Sequence, residues 1–478
     1  MSERPNVLFL LTDQERYDLT APDSPTDTPN VDRLSEEGMR FTRAYTPISI
    51  CSSARASLLT GLYPHNHGML NNAHEADAIQ PNLPPGLATF GELLAESGYA
   101  NAYVGKWHVG RDQGPGDFGF EYHGGADRHH DADLAGDFED HREELGVDVS
   151  EEDLEERIYT GGEQPTLVAA VDPAPVEATR PYYIAERAIE RLRTGVDEPF
   201  FLRADLYGPH HPYVVPEPYA SMYDPADVER PESYAETFEG KPAVHEQYLH
   251  YRGADAFDWE TWAEAIAKYR GFMTLIDDQI GRILDALEEE EGLDDAMVVH
   301  ASDHGDFVGN HRQFNKGPLM YEDTYRIPLQ VRWPGVVEAG STCEAFVSLH
   351  DLMPTFLDVA GVEAPGVDGR SIRPLLEGEH PEGWPDGHFA EYHGDEFGLY
   401  SQRMLRTERY KYVHNGPDGN ELYDLESDPH ELNNLIDHPA YDEVRSNLES
   451  RLLERMRETD DPSRGGARTC SADGTVGF

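Results

Sequence analysis

Asn6-Val-Leu-Phe-Leu-Leu-Thr-Asp13 holds five apolar residues in a row, Val7 to Leu11, closed by a threonine and a carboxylate. A run this short and apolar throughout reads as a parallel strand covered by helices on both faces, because a half-exposed strand would alternate. The same pattern recurs. Ala102 to Val104 ends at Gly105-Lys106, Phe200 to Leu206 precedes Gly208-Pro209-His210, and Met297 to Ala301 ends at Ser302-Asp303-His304. Between the last two, Phe272, Leu275, Ile276, Ile280, Ile283, Leu284 and Leu287 keep the three-and-four spacing of one buried helix face. Strands alternating with such helices predict an α/β fold with a doubly wound, mostly parallel sheet. Ligands of these sheets bind beyond the carboxyl ends of the strands, where the polar residues closing each run gather. Within the long helix, Asp277-Asp278 reads as part of the solvated face.

The chain has 478 residues and a formal net charge of -54, with 38 Lys and Arg against 92 Asp and Glu. That balance excludes binding to nucleic acid or to an anionic membrane, both of which would repel it. Only five of the cations are lysines, and so acidic and lysine-poor a surface suits a medium of high salt, where screening removes most self-repulsion. A halophilic source is the expectation. The three cysteines, Cys51, Cys343 and Cys470, are too scattered for a disulfide framework or a zinc site. Met1-Ser-Glu-Arg-Pro5 leads straight into the first strand with no basic leader region, and Val7 to Leu11 is too short to span a membrane, so the expected location is cytoplasmic.

The stretch from about 127 to 177 is acidic, broken by Gly and Pro, and reads as an insertion that carries solvating charge. From about Trp384 the pattern changes. Met404 to Val413 and Glu421 to Leu425 read as short strands around Asn415-Gly-Pro-Asp-Gly419, with a charged helix from Ala440 to Glu458 and a loosely ordered tail.

The segment Cys51-Ser-Ser-Ala-Arg-Ala-Ser-Leu-Leu-Thr-Gly61 reads as a helix, with Ser52 or Ser53 as cap and Gly61 as a left-handed stop. Arg55 follows Cys51 by four positions, so cation and helix dipole are both expected to favour negative charge beside the sulfur. The bland reading is a core cysteine near a surface arginine. Asp13, Asp303 and His304 close strands from distant parts of the chain, and such oxygen-rich ligands at one sheet edge suit Ca²⁺, Mg²⁺ or Mn²⁺ better than zinc. Lys106 and Lys316 are two of the five lysines. A compact cation of this kind stabilises charge on a transferring oxyanion group. His108, His210 and His211 are side chains matched to proton transfer near neutrality.

Taken in order, Asn6 to Asp13, Cys51 to Gly61, Gly105-Lys-Trp-His108, Asn310-His-Arg-Gln-Phe-Asn-Lys-Gly317, Tyr325-Arg-Ile-Pro-Leu-Gln-Val-Arg-Trp-Pro-Gly335 and Glu421-Leu-Tyr-Asp-Leu-Glu-Ser-Asp-Pro429 resemble the type I sulfatases of the alkaline phosphatase superfamily. In that family the motif is Cys-x-Pro-Ser-Arg; this chain has Ser53 where the family has Pro and Ala54 where Ser is common. The resemblance implies an alkaline-phosphatase-like sheet sandwiched by helices over 1–380 and a small C-terminal α+β subdomain over 381–478. It implies oxidation of Cys51 to formylglycine by a formylglycine-generating enzyme. It also implies one divalent cation, usually calcium with manganese or magnesium as alternatives, held by Asp13, Gln14, residue 51, Asp303 and His304. Arg55, Lys106 and Lys316 would hold the nucleophile and the sulfate. His108 would steady the formylglycine hydrate and take its proton, and His210, with His211 as rival, would help Lys316 protonate the leaving oxygen. His311 and Arg312 are expected near the anion pocket, and Trp107, Tyr207 and His123 are candidates to line it or to belong to the core.

The implied activity is hydrolysis of a small-molecule or carbohydrate sulfate ester. Gln14 and His304 resemble the branch of choline sulfatases and phosphonate monoester hydrolases, so a phosphonate or phosphate esterase is the alternative. A second alternative is an unmatured metal- and anion-binding protein in which Cys51 stays a thiol. The oligomeric state is not legible from the sequence.

Overall fold

The computed structural model describes residues 4–125, 132–194, 199–290, 296–395, 398–416 and 418–465. Its centre is an eight-stranded sheet formed, in chain order, by β1 (Asn6–Asp13), β2 (Met39–Phe41), β3 (Ala100–Gly105), β4 (Glu121–Tyr122), β5 (Phe200–Pro209), β6 (Ala296–Ser302), β7 (Leu329–Arg332) and β8 (Ser341–Cys343). The strand order is β8-β2-β7-β6-β1-β5-β3-β4. The run from β6 through β1, β5 and β3 to β4 is parallel, and β7 enters antiparallel to both β6 and β2.

The alternation of β1 sorts its side chains between two cores. Leu8 and Leu10 face the layer holding α1 (Pro29–Glu37), α3 (Arg180–Arg193) and α4 (Trp259–Glu289). Val7, Phe9 and Leu11 face the layer holding α2 (Cys51–Thr60) and α5 (Leu352–Val359). Every residue of β1 is buried, as a strand covered on both faces requires. Each large apolar side chain so covered contributes roughly 1.5–3 kcal/mol, which fixes β1 as the axis of the fold.

Helix α4 keeps the expected apolar face, but Asp277 does not belong to a solvated one. It is fully buried, and its carboxylate accepts the backbone N–H groups of Asn30 and Val31, at 3.0 and 2.9 Å. Thr28, the residue before α1, makes no side-chain cap of its own, so α4 supplies it. Asp278 accepts the hydroxyl of Tyr219.

The C-terminal part is a four-stranded antiparallel sheet, β9 (Gly387–Tyr392), β10 (Gln402–Thr407), β11 (Tyr410–Asn415) and β12 (Glu421–Asp424), backed by α6 (Asp442–Glu458). Met404 to Val413 is thus two strands rather than one. The hairpin turns at Glu408-Arg409, where Thr407 Oγ1 accepts the N–H of Tyr410. The acidic stretch is also more ordered than its composition predicts. Glu155–Tyr159 and Leu167–Asp172 join Tyr213–Pro216 in a three-stranded sheet with Val168 to Val171 buried, so part of it extends the core. Residues 126–131, Cys470 and the tail beyond Gly465 lie outside the described residues. Among the described residues no helix is long and apolar enough to cross a membrane.

Candidate active site

The register of β1 on β6 pairs Thr12 with Ser302, so Asp13, the last residue of β1, and Asp303, one residue past β6, emerge side by side at the ends of neighbouring parallel strands. Helix α2 brings Cys51 to the same point from the other layer. Its first residue is Cys51, preceded by Ile50 with no side-chain cap, so neither Ser52 nor Ser53 caps it. Gly61 closes it at φ 71°, as the sequence predicts. All ten residues of α2 are buried.

Asp13, Cys51, Asp303 and His304 each offer a ligand atom, and these atoms lie within 4.8 Å of one another. The Cys51 sulfur is 3.2 Å from His304 Nε2 and 3.8 Å from Asp13 Oδ1. Two buried carboxylates and a neutral imidazole fit a divalent cation that prefers oxygen. Burial pushes the His304 imidazole down to about 4, leaving it neutral as a ligand must be, while its Nδ1 faces the carbonyl of Gly305 at 2.9 Å. Burial opposes the Asp13 carboxylate, but Lys106, Arg55 and Lys316 hold its carboxyl well below the usual range.

Gln14 follows Asp13 into this site. Its backbone sits at φ 66° and its N–H donates to Asp303 Oδ1 at 3.0 Å. Its side-chain carbonyl accepts from Lys316 Nζ at 2.8 Å, while the amide nitrogen donates to Asp306 and to Asn315. Gln14 thus braces Lys316 within the site.

Arg55 is wholly buried. Its Nε donates to Asp303 at 2.8 Å and its Nη1 to Asp205 at 2.7 Å, and Nη2 lies 3.8 Å from Asp13. Those carboxylates absorb its charge, so it does not favour a thiolate at position 51. Burial instead pushes the Cys51 thiol up to about 11, and Asp13 and Asp303 add to the shift against Lys106 and Lys316. This is the reverse of what the four-residue spacing suggests.

Lys106 donates to Asp13 Oδ2 at 2.7 Å. The preceding Gly105, at φ 100°, makes that turn: a Cβ there would lie 2.2 Å from the carbonyl oxygen of Asp205. Lys316 Nζ is 3.1 Å from His210 Nε2, and His210 Nδ1 donates to the carbonyl of His211. His211 stacks on His210 and turns an edge to Phe314, which leaves His210 as the histidine paired with Lys316. His108, at φ 54°, pairs its Nε2 with Nδ1 of His74 at 2.8 Å. Non-glycine residues at positive φ thus cluster here, as they do where a site over-determines its backbone.

Tyr207 lies over Lys106, 5.5 Å from ring centre to Nζ, whereas Trp107 is core. His123 is half-buried beside Glu121, 3.3 Å from its carboxylate. His311 stacks on Tyr321 and bonds Glu236 at 3.0 Å. His74 and the pair Arg203 and Asp205 are among the participants that escaped the sequence reading. Arg203 and Asp205 are charges two apart on one face of an otherwise apolar strand, which is the signal that exposes them, and Asp205 binds Arg55, Arg203 and the Tyr103 hydroxyl together.

Comparison with known proteins follows the same outline. A family model described as Sulfatase matches residues 5–362, and one described as N-sulphoglucosamine sulphohydrolase, C-terminal, matches residues 309–458. An uncharacterized sulfatase of Escherichia coli is 31% identical, with 97% of this chain and 89% of that protein covered. An arylsulfatase of Clostridium perfringens is 30% identical over 95% of this chain and 94% of its own. The crystal structure of the phosphonate monoester hydrolase of Agrobacterium radiobacter superposes with a TM-score of 0.82 at 28% identity, covering 99% of this chain and 100% of that one.

Proposed function

The chain belongs to the sulfatase family of the alkaline phosphatase superfamily and is a sulfuric ester hydrolase, and we propose that it hydrolyses sulfate monoesters of small alcohols or carbohydrates through a formylglycine formed from Cys51 beside one divalent cation. The observation that carries the reading is the convergence of Asp13, Asp303, His304 and residue 51 within 4.8 Å, ringed by Lys106, Lys316 and Arg55. Asp13, Asp303 and His304 would hold the cation, calcium by preference for its oxygen donors. When present, the formylglycine hydrate supplies an attacking hydroxyl and the cation polarises it and the sulfate.

The remaining work falls to side chains of this chain. Arg55, fixed between Asp303 and Asp205, orients residue 51 from the next helical turn. Lys106 and Lys316 flank the place where negative charge accumulates on the sulfuryl oxygens, in a site whose ionisable groups are almost wholly buried and therefore interact strongly. Because His210 Nδ1 donates to the His211 carbonyl, its Nε2 accepts from the Lys316 ammonium. The proton destined for the leaving oxygen is therefore shared between Lys316 and His210. His108 takes up the proton released as residue 51 is regenerated.

Two measurements test this. On protein from its native host, the tryptic peptide from Ala44 to Arg55 should carry an aldehyde that forms a hydrazide adduct and resists thiol alkylation. Cys51→Ala should release no sulfate while retaining the fold. An alkylated, hydrazide-inert peptide in an active preparation would sink the formylglycine reading. A phosphonate or phosphate esterase is the second reading, favoured by the A. radiobacter structure. Sulfate, phosphate and phosphonate esters of one alcohol, compared by kcat/KM, separate the two.

A further inference from the structure

His108 does not stand alone. Its Nε2 is 2.8 Å from Nδ1 of His74, and Nε2 of His74 is 3.1 Å from Oε1 of Glu75. The side chains of His74 and Glu75 are 27% and 25% exposed, so this chain of groups runs from the buried site to its rim. The loop that carries them is fastened. Arg111 donates to the carbonyls of Ala73 and Glu75, the Ala73 N–H donates to Ser52 Oγ, and Asn72 is held by Asp395 while its Oδ1 accepts the Ser52 N–H. His74 is thereby tied to the helix that begins at Cys51.

With His74 neutral, these contacts order the protons. A carboxylate beside His74 Nε2 requires a proton there, since a bare nitrogen would set lone pair against lone pair. In neutral His74, Nδ1 is then the acceptor, and it takes a hydrogen bond from His108 Nε2–H. The lone pair of His108 is left on Nδ1. We propose that His74, held by Glu75, is a positioning residue that locks His108 in the Nε2–H tautomer and stabilises the imidazolium formed when His108 takes a proton. The step is balanced within His108: one proton arrives on Nδ1, the Nε2–H remains, and its positive charge is met by His74 Nδ1 and, beyond it, Glu75. A carboxylate behind a histidine does this work in hydrolytic triads and at metal-bound histidines. The proposal rests on the reading of His108 as proton acceptor, and its tests separate the two.

In native protein labelled with ¹⁵N-histidine, long-range ¹⁵N–¹H correlation should show His108, assigned through His108→Gln, as the Nε2–H tautomer. His74→Phe should turn it into a tautomer mixture. In steady-state assays, His74→Phe and Glu75→Gln should each lower kcat by about 10- to 100-fold with KM within about twofold, the range for groups that orient a reacting histidine. An Nδ1–H tautomer in the native protein overturns the proposal, and so do unchanged kcat values in both variants when His108→Ala is inactive. If His108→Ala itself keeps full kcat, the underlying reading falls and takes the proposal with it.

Discussion

Asp205 shows how much a single side chain can decide here. It is fully buried with no solvent to screen it, and it neutralises Arg203 while fixing Arg55 of the helix that begins at Cys51. Asp205→Asn keeps the shape but leaves two buried guanidinium groups short of an anion. Removing one partner of a buried pair costs about 3–5 kcal/mol. A lowered urea midpoint together with a lowered kcat is expected, and a variant with unchanged kcat would show that Asp303 alone orients Arg55. Asp13 and Asp303 are legible in the sequence because each closes an apolar run. Asp205 sits inside one, and His74 follows no pattern at all; both acquire meaning only when distant segments meet. The expectation of a thiolate at Cys51 failed for a related reason. Spacing along a helix gives the distance to Arg55 but not the carboxylates that reach Arg55 first.

At the scale of elements, the long helix α4 and the short helix α1 form one unit through Asp277. A carboxylate in mid-helix reads as a solvated residue, since the sequence pattern contains no trace of a second helix whose first turn lacks a cap. Asp277→Ala would remove the acceptor from the N–H groups of half-buried Asn30 and buried Val31. A loss of about 1–3 kcal/mol in urea unfolding is expected, with faster hydrogen exchange at those two amides. Equal protection in the variant would mean that α1 is held by packing alone. The four central strands β1, β3, β5 and β6 were legible because both faces of the sheet impose continuous apolar runs, whereas the short β2, β4, β7 and β8 carry no such run. The hairpin hidden within Met404 to Val413 was not, since Glu408-Arg409 carries none of the usual turn residues.

Across the whole molecule, charge governs behaviour at two ranges. With a net charge of -54, self-repulsion should weaken the fold at low ionic strength. The melting temperature is expected to rise as salt goes from about 0.1 M to about 1 M and the Debye length falls from about 10 Å to about 3 Å. A flat or falling curve would count against a saline habitat. At short range, the C-terminal part is pinned by His65, which faces Glu391 through Nδ1 and the Thr459 carbonyl through Nε2. Burial opposes its charge, but Glu391 outweighs burial and raises its pKa. That contribution is complete below about pH 6.5, the unfolded value, and is lost as pH rises through the raised value. Burial likewise opposes the Glu391 carboxylate, and His393 and Arg403 hold it well below its usual range, so its share is lost only on strong acidification. Melting temperatures should therefore fall as pH rises above about 6.5, and His65→Gln should remove that dependence. The five lysines close the account. Lys106, Lys241, Lys268, Lys316 and Lys411 all have side chains withdrawn from solvent and set against carboxylates or site residues. The folded surface thus presents guanidinium groups but no side-chain amine. Acylating reagents and carbonyl crosslinkers that attack amines will find only the chain's α-amine to react with until the protein opens.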